Sequence, residues 1–377
     1  MKKRTRTTVL LITEALGGGV RRHIVDLIEN LDLEQFEIFL IYSMERADET
    51  FIKKVPELRK RATLIECDNL VREIHATHDL QAFKQIKKHI REIHPDVVHC
   101  HSSKAGVLGR LAAKQCKVKK IFYTPHAYSF MATEFSYIKK RVFVLIERFL
   151  SKYATTKTFN VSNGEKKTAL DVKLDQPDKF KVIYNGIPDL KRMLTKEEVR
   201  QKLKLPMDAF VVGTTARMIQ QKDPMTFMKI AKEVIAENPI VHFVYVGDGP
   251  MFEEVSQFIS KNQLTNNVHL LGFRDDATDL LWSYDLFMMT SLSEGLPYAP
   301  IEAMQVGIPI LATNVMGNDE VVKNGQNGKL LNSENLITDA KLSILSFEEW
   351  DNNRIISYFK NNFHISIMIK KIGALYN

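Results

Sequence analysis

The sequence predicts two doubly wound α/β domains in tandem, and three observations carry that prediction. Short apolar, β-branched runs alternate with amphipathic helical stretches from end to end, which is the pattern of parallel sheets covered on both faces. The pattern restarts at Ala209, after a polar, highly charged segment from Asp189 to Leu205 that ends at Pro206 and reads as a linker. A chain of 377 residues is also too long for one ordinary core and comfortable for two.

In the first half, Thr8 to Ile12 reads as a strand, followed by the glycines 17 to 19 and a helix from about Val20 to Leu31. Further strands are expected at Glu37 to Tyr42, Thr63 to Ile65, Asp96 to His99, Lys120 to Tyr123 and Lys181 to Tyr184. Helices are expected at Leu80 to Ile93, Lys104 to Lys114 and Tyr137 to Lys152. The second half offers the strand Phe210 to Gly213, the helix Met225 to Glu237 and the strand Val241 to Val246. Later strands are expected at Val268 to Leu271, Leu286 to Met289 and Ile308 to Leu311. The expected division is 1–190, 191–355 and a terminal helical segment, 356–377. In such sheets ligands bind outside the carboxyl ends of the strands, so a cleft between two sheet edges is the expected site.

Composition narrows the class. At 45% hydrophobic and 26% charged residues the chain reads as globular, and no apolar run reaches the length of a membrane span. The start, Met1 to Arg4, is basic, but Val9 to Ile12 is too short for a signal-peptide core, so a cytoplasmic location is expected. The three scattered cysteines, Cys67, Cys100 and Cys116, fit reduced thiols and have no metal-ligand spacing. Charge is uneven: residues 1–190 hold 34 basic against 23 acidic residues, net +11, and the remainder 19 against 22, net −3. A basic half suggests an anionic partner, whether nucleic acid, a membrane surface or a phosphorylated lipid; a merely solvated basic surface is the alternative.

Several groups carry chemistry. Gly17, Gly18 and Gly19 follow the first strand and open a helix, where backbone N–H groups can approach a phosphate or sugar; a plain tight turn is the alternative. Arg22 stands where a dinucleotide motif needs its third glycine, which disfavours a nicotinamide-dependent dehydrogenase. Arg217, at the end of the strand that begins at Phe210, and Lys222, just before a helix, bring two cations and a helix N-terminus to one place, the local chemistry for binding a diphosphate; two surface cations are the other reading. Glu294, on a loop after a strand, and Glu302, near the start of a helix opening around Pro300, suit sugar and ribose hydroxyls; a loop salt bridge and a helix N-terminal charge are their other readings.

Together these motifs form a series. Arg217 with Lys222, Gly247-Asp248-Gly249-Pro250, Leu271-Gly272-Phe273, and Glu294-x7-Glu302 with Gly307-Ile308-Pro309-Ile310 closely resemble the signature of family-4 retaining glycosyltransferases of the GT-B fold. The first half is similar to the same family through Gly19-Val20-Arg21-Arg22-His23, His99-Cys100-His101, Thr124-Pro125-His126, Val161-Ser162 and Val182-Ile183-Tyr184-Asn185-Gly186-Ile187. The resemblance implies two Rossmann-like domains facing across a cleft. It implies that Arg217 and Lys222 hold the diphosphate of a nucleotide-sugar donor, that Glu294 touches hydroxyls of the transferred sugar, and that Glu302 touches the ribose. Gly295 and Leu296 complete the donor loop, Gly18 and Gly19 approach the sugar or phosphate, and His126 lies near the reacting carbon. Asn185-Gly186 resembles a hinge-proximal loop. The implied reaction is retaining transfer of a hexose-type sugar, from a UDP-sugar first, to a lipid-linked saccharide in capsule or exopolysaccharide assembly, with no cofactor and no metal.

Departures and rivals qualify the picture. Arg21 stands where many relatives carry an acidic residue. His99 and His101 share one face of an alternating strand and read as cleft lining rather than metal ligands. The segment Tyr137 to Lys152 mixes basic and large apolar residues and reads either as an interfacial helix or as a core helix with a basic outer face; the basic first half favours peripheral contact with an anionic inner membrane face. A nucleotide-sugar epimerase on the same fold and a non-catalytic nucleotide- or carbohydrate-binding module are the alternatives. Nucleic-acid binding would account for the charge but not for the motifs.

Overall fold

Seven residues, Thr7–Thr13 (β1), form an inner strand of the first sheet, and all but Thr7 are buried. The side chains alternate between two cores, as a strand's period of two requires. Val9 and Leu11 pack with Ile24, Ile28 and Phe36 on one face, and Leu10 and Ile12 pack with Ile86, Ile90 and Tyr123 on the other. The computed structural model describes residues 6–132, 135–332 and 334–377, and the basic start Met1 to Arg4 lies outside them.

The first sheet adds β2 (Phe36–Tyr42), β3 (Ala62–Glu66), β4 (Val97–His101), β5 (Lys120–Thr124), β6 (Lys157–Asn160) and β7 (Phe180–Val182). Its order is β3-β2-β1-β4-β5-β6-β7, and all pairings are parallel. The second sheet contains β8 (Phe210–Thr215), β9 (Val241–Val246), β10 (Val268–Leu270), β11 (Leu286–Met289), β12 (Ile310–Thr313) and β13 (Gly328–Leu331), in the order β10-β9-β8-β11-β12-β13, again parallel. Both sheets therefore reverse their winding beside their first strand, between β1 and β4 and between β8 and β11. Such a switch point leaves an open crevice at the carboxyl ends of the strands. The chain is thus an α/β protein of two Rossmann-like domains.

The chain divides into one unit of Met1–Gly186 with Ile365–Asn377, and a second of Ile187–His364. Sequence reading put the last change-over at 355/356, but the helix Asn352–Asn362 packs on the helix Tyr298–Gln305 of the second unit. Only the helix Ile365–Tyr376 returns, burying Ile365, Met368, Ile372 and Tyr376 beside Ile24, Ile28 and Phe36. The first change-over falls at Gly186, where sequence analysis saw a hinge-proximal loop.

The segment from Asp189 to Leu205 is not simply a linker. It contains the helix Lys196–Leu203, opened by a capping box between Thr195 and Glu198. Val199 and Arg200 are buried, and Arg200 reaches Asp285 Oδ2 at 2.7 Å and the Met207 carbonyl at 2.7 Å. Charge density concealed this helix, because its three cations, Lys196, Arg200 and Lys202, pair with Asp285 or Asp276 within the second unit.

Candidate active site

At the switch point of the second sheet, the loop after β8 and the loop after β11 are laced together. Thr290 Oγ1 donates to the carbonyls of Lys222 (3.2 Å) and Asp223 (2.8 Å), Leu292 N donates to Gln221 O (2.8 Å), and Gln221 Nε2 donates to Ser293 O (2.8 Å). This lacing sets Lys222 Nζ 2.5 Å from Glu294 Oε1, with both side chains largely buried. Arg217 lies two residues past the end of β8 rather than on it, is exposed, and has no ion pair or hydrogen bond for its guanidinium among the described residues. An ammonium already neutralised and a guanidinium still free thus stand on one loop, which favours an incoming dianion.

Two glycines make these approaches possible. Gly247, with φ at 140°, lies so close to the loop after β8 that a Cβ would meet the Ala216 carbonyl oxygen at 1.9 Å. Gly317, with φ at 88°, lies under the Glu294 loop, where a Cβ would stand 2.8 Å from the Gly295 carbonyl oxygen.

The helix terminus expected to meet the diphosphate is already occupied. Asp223 caps the helix Pro224–Glu237 itself, its carboxylate accepting from Thr226 N at 3.1 Å. The terminus with no side-chain cap in this region begins the helix Tyr298–Gln305, directly after Gly295, Leu296 and Pro297. Sequence reasoning placed this helix but not its open end. Glu302 lies on it and is buried, as is Leu296. Asp276 is engaged by Arg274 and Lys202, hydrogen bonds that hold its carboxyl well below the usual range.

In the first unit the corresponding switch point gathers four histidines. His101 ends β4, and its Nδ1 lies 3.3 Å from His126 Nε2. His23, from the helix Gly18–Asn30, stands edge-on to His126 with ring centroids 4.8 Å apart, and its Nδ1 meets Asn185 Oδ1 at 3.1 Å. His126 and Ala127 both have positive φ, 53° and 85°. The buried Glu165 secures that turn by accepting from Ala127 N at 2.7 Å and, through its other oxygen, from Val161 N at 2.8 Å. Strain of this kind persists only where neighbours over-determine it.

His99 corrects the sequence reading. It does share the face of His101, with ring centroids 4.0 Å apart, but neither histidine lines an open surface, since both are fully buried. His99 is held by Tyr376 Oη at Nδ1 (2.6 Å) and Thr124 Oγ1 at Nε2 (2.8 Å). Burial depresses all four imidazoles: His23 falls to about 4, and His99, His101 and His126 lie well below their ordinary value. At neutral pH the cluster is uncharged.

Gly18 and Gly19 are exposed, with Gly18 at φ 57°. Gly18 N donates to Asp48 Oδ2 at 3.3 Å, and the same carboxylate pairs with Arg21 Nε at 3.4 Å.

Comparison with known proteins gives one answer along nearly the whole chain. Residues 17–189 match the model of Glycosyltransferase Family 4, and residues 195–360 that of Glycosyl transferases group 1. The chain is 31% identical over 376 residues to a UDP-Gal:alpha-D-GlcNAc-diphosphoundecaprenol alpha-1,3-galactosyltransferase of Escherichia coli, covering 95% of this chain and 93% of that protein. It is 26% identical to the putative glycosyltransferase EpsD of Bacillus subtilis, over 67% of this chain and 68% of that one. In fold it is similar to Anabaena Alr3699/HepE in complex with UDP and glucose, with a TM-score of 0.77, 20% identity and coverage of 98% and 99%.

Proposed function

This chain belongs to the glycosyltransferases, with a Family 4 domain and a group 1 domain, and we propose that it transfers a hexose with retention from a UDP-sugar to a lipid-diphosphate-linked saccharide. The observation that carries this reading is the Lys222–Glu294 pair beside the unpaired Arg217, at the switch point of the second sheet. In a nucleotide sugar the diphosphate and the transferred ring share one bond, so adjacent groups must serve both. Lys222 faces the diphosphate and Glu294 the ring hydroxyls. As the glycosidic bond breaks, charge gathers on the departing diphosphate, where Arg217, Lys222 and the uncapped start of the helix Tyr298–Gln305 stabilise it more than they stabilise the bound donor. Fixed positive charge makes a bound metal unnecessary.

Glu302, on that helix, holds the ribose, with Gly295 and Leu296 flanking the diphosphate. We assign His126, neutral and locked in its turn by Glu165, to the reacting carbon, and Gly18 and Gly19 to the sugar or phosphate. The galactosyl donor and the diphosphoundecaprenol-linked acceptor in the name of the Escherichia coli relative make UDP-galactose and a polyprenyl-diphosphate saccharide the first substrates to try.

The acceptor's lipid gives meaning to the helix Tyr137–Ala154. Its inner face is anchored by the buried Glu147, which accepts from Arg110 Nη2 at 2.8 and 2.9 Å. Its outer face exposes Ile138, Val142, Leu145 and Phe149, spaced by three and four residues, among Lys139, Lys140, Arg141 and Lys152. A core helix would bury that stripe, so the geometry favours an interfacial helix resting on anionic lipid. No helix among the described residues is long and apolar enough to cross a membrane.

Incubation with a panel of nucleotide sugars and a polyprenyl-diphosphate-linked saccharide tests the reading. Nucleoside diphosphate should be released only when the acceptor is present. Acceptor-independent formation of an epimeric sugar would favour the epimerase instead.

A further inference from the structure

His23, His101 and His126 converge from three separate elements, and one nitrogen from each lies within 4.8 Å of the others, the one such group among the described residues. Their ring centroids are 5.4, 4.8 and 5.5 Å apart. A tetrahedral ion with imidazole nitrogens at ~2.0–2.1 Å holds those nitrogens about 3.4 Å apart and the centroids about 5 Å apart. The rings already stand at that spacing, and small rotations bring the nitrogens in.

Two ring nitrogens of the group have no other partner. Nε2 of His23 and Nε2 of His101 are buried with no hydrogen-bond partner. Orphaned polar atoms at such depth are costly and uncommon. On His23 the other nitrogen faces Asn185 Oδ1, so Nδ1 donates there and the lone pair of Nε2 is left pointing forward. An outer carbonyl that fixes a ring in this way is the usual companion of a metal-binding histidine. His126, only partly buried, leaves an approach and an open fourth position.

We propose that His23, His101 and His126 form a binding site for a late divalent transition metal, zinc first, which engages His126 and thereby inhibits transfer. Three imidazoles and no carboxylate suit zinc, nickel, cobalt or copper, whereas magnesium and manganese prefer oxygen ligands. The site itself rests on the cluster alone. Its inhibitory effect rests on the reading that places His126 at the reacting carbon.

The test uses the full chain, freed of metal and titrated with zinc against a chromophoric indicator and with cobalt by visible absorption. One equivalent should bind, cobalt should show the intense visible bands of a four-coordinate ion, and excess magnesium should not displace it. His101→Phe and His23→Gln should each weaken zinc binding at least tenfold, with circular dichroism confirming the fold. Either variant alone suffices if the other fails to fold. His75→Ala with His78→Ala, which removes an exposed histidine pair with centroids 4.5 Å apart, should leave binding unchanged. No stoichiometric zinc, undiminished binding in both cluster variants, or loss in the His75/His78 double variant would overturn the site. Zinc should also block transfer, and EDTA should restore it. Binding without inhibition would overturn the inhibitory role of the ion, whereas an active enzyme that binds no zinc would leave the transfer reading untouched.

Discussion

Lys222 Nζ stands 2.5 Å from Glu294 Oε1, joining the loop after β8 to the loop after β11 across the switch point of the second sheet. Each residue answers the other's buried charge.

That relationship separates the two glutamates. Glu294→Ala should lower turnover by about a hundredfold or more, since it removes a ligand of the reacting ring and frees Lys222 to reorient. Glu302→Ala should mainly raise the Kd for the nucleotide. Steady-state kinetics and calorimetry with UDP check both, and full activity with full affinity in both variants contradicts the assignment.

Gly317→Ala tests the loop itself. A Cβ there would meet the Gly295 carbonyl at 2.8 Å from a backbone with φ at 88°, a conformation costing a non-glycine residue about 1–2 kcal/mol. The variant should stay folded, lose a few degrees in Tm and lose most of its donor affinity. Unchanged donor KM would show that the loop's position does not matter.

Lipid contact should be electrostatic with an apolar component. Vesicles containing anionic lipid should retain the protein and neutral ones should not, with release at high salt. Leu145→Asp with Phe149→Asp, on the exposed stripe of the helix Tyr137–Ala154, should abolish retention without unfolding the protein. Equal binding to neutral vesicles contradicts the proposal.

The histidine cluster makes stability sensitive to mild acid. In the unfolded chain His23 takes up its proton near 6.5; in the fold it does so at about 4, and His99, His101 and His126 shift the same way. As pH falls from 6.5, the unfolded state gains protons that the folded state refuses, so stability is full above that pH and is lost progressively toward 4. Each such group contributes at most about 1.4 kcal/mol per pH unit. Calorimetry in metal-free buffer should show Tm dropping between pH 6.5 and 5, above the range where carboxylates titrate. A flat Tm across that window contradicts the burial of these rings.

The fold was legible because its strands are short apolar runs in parallel sheets, where continuous hydrophobicity marks each strand, and β1 and β9 were read nearly to the residue. Arg217, Lys222 and Glu294 stood out because loops after strands concentrate chemistry, and the structure brings two of them, Lys222 and Glu294, into contact. His23 as a partner of His101 and His126 was not, since contact between a helix and two distant strand ends leaves no local trace. Nor was the capping of Gly18 by Asp48, which comes from the turn into the next helix. The helix Tyr137–Ala154 shows the limit of periodicity: its apolar stripe was visible, but only the structure shows that the stripe faces outward.

Donor-saturated turnover in EDTA tests the central claim most directly, comparing the wild-type chain with Arg217→Ala and Lys222→Ala. Loss of one charged contact to the departing diphosphate costs on the order of 3 kcal/mol, or about a hundredfold in rate. The account predicts that the wild type releases nucleoside diphosphate in EDTA at its full rate, and that each cation variant falls by at least that factor. Abolition of the wild-type rate by EDTA with rescue by manganese, or near-wild-type rates in both variants, would contradict it.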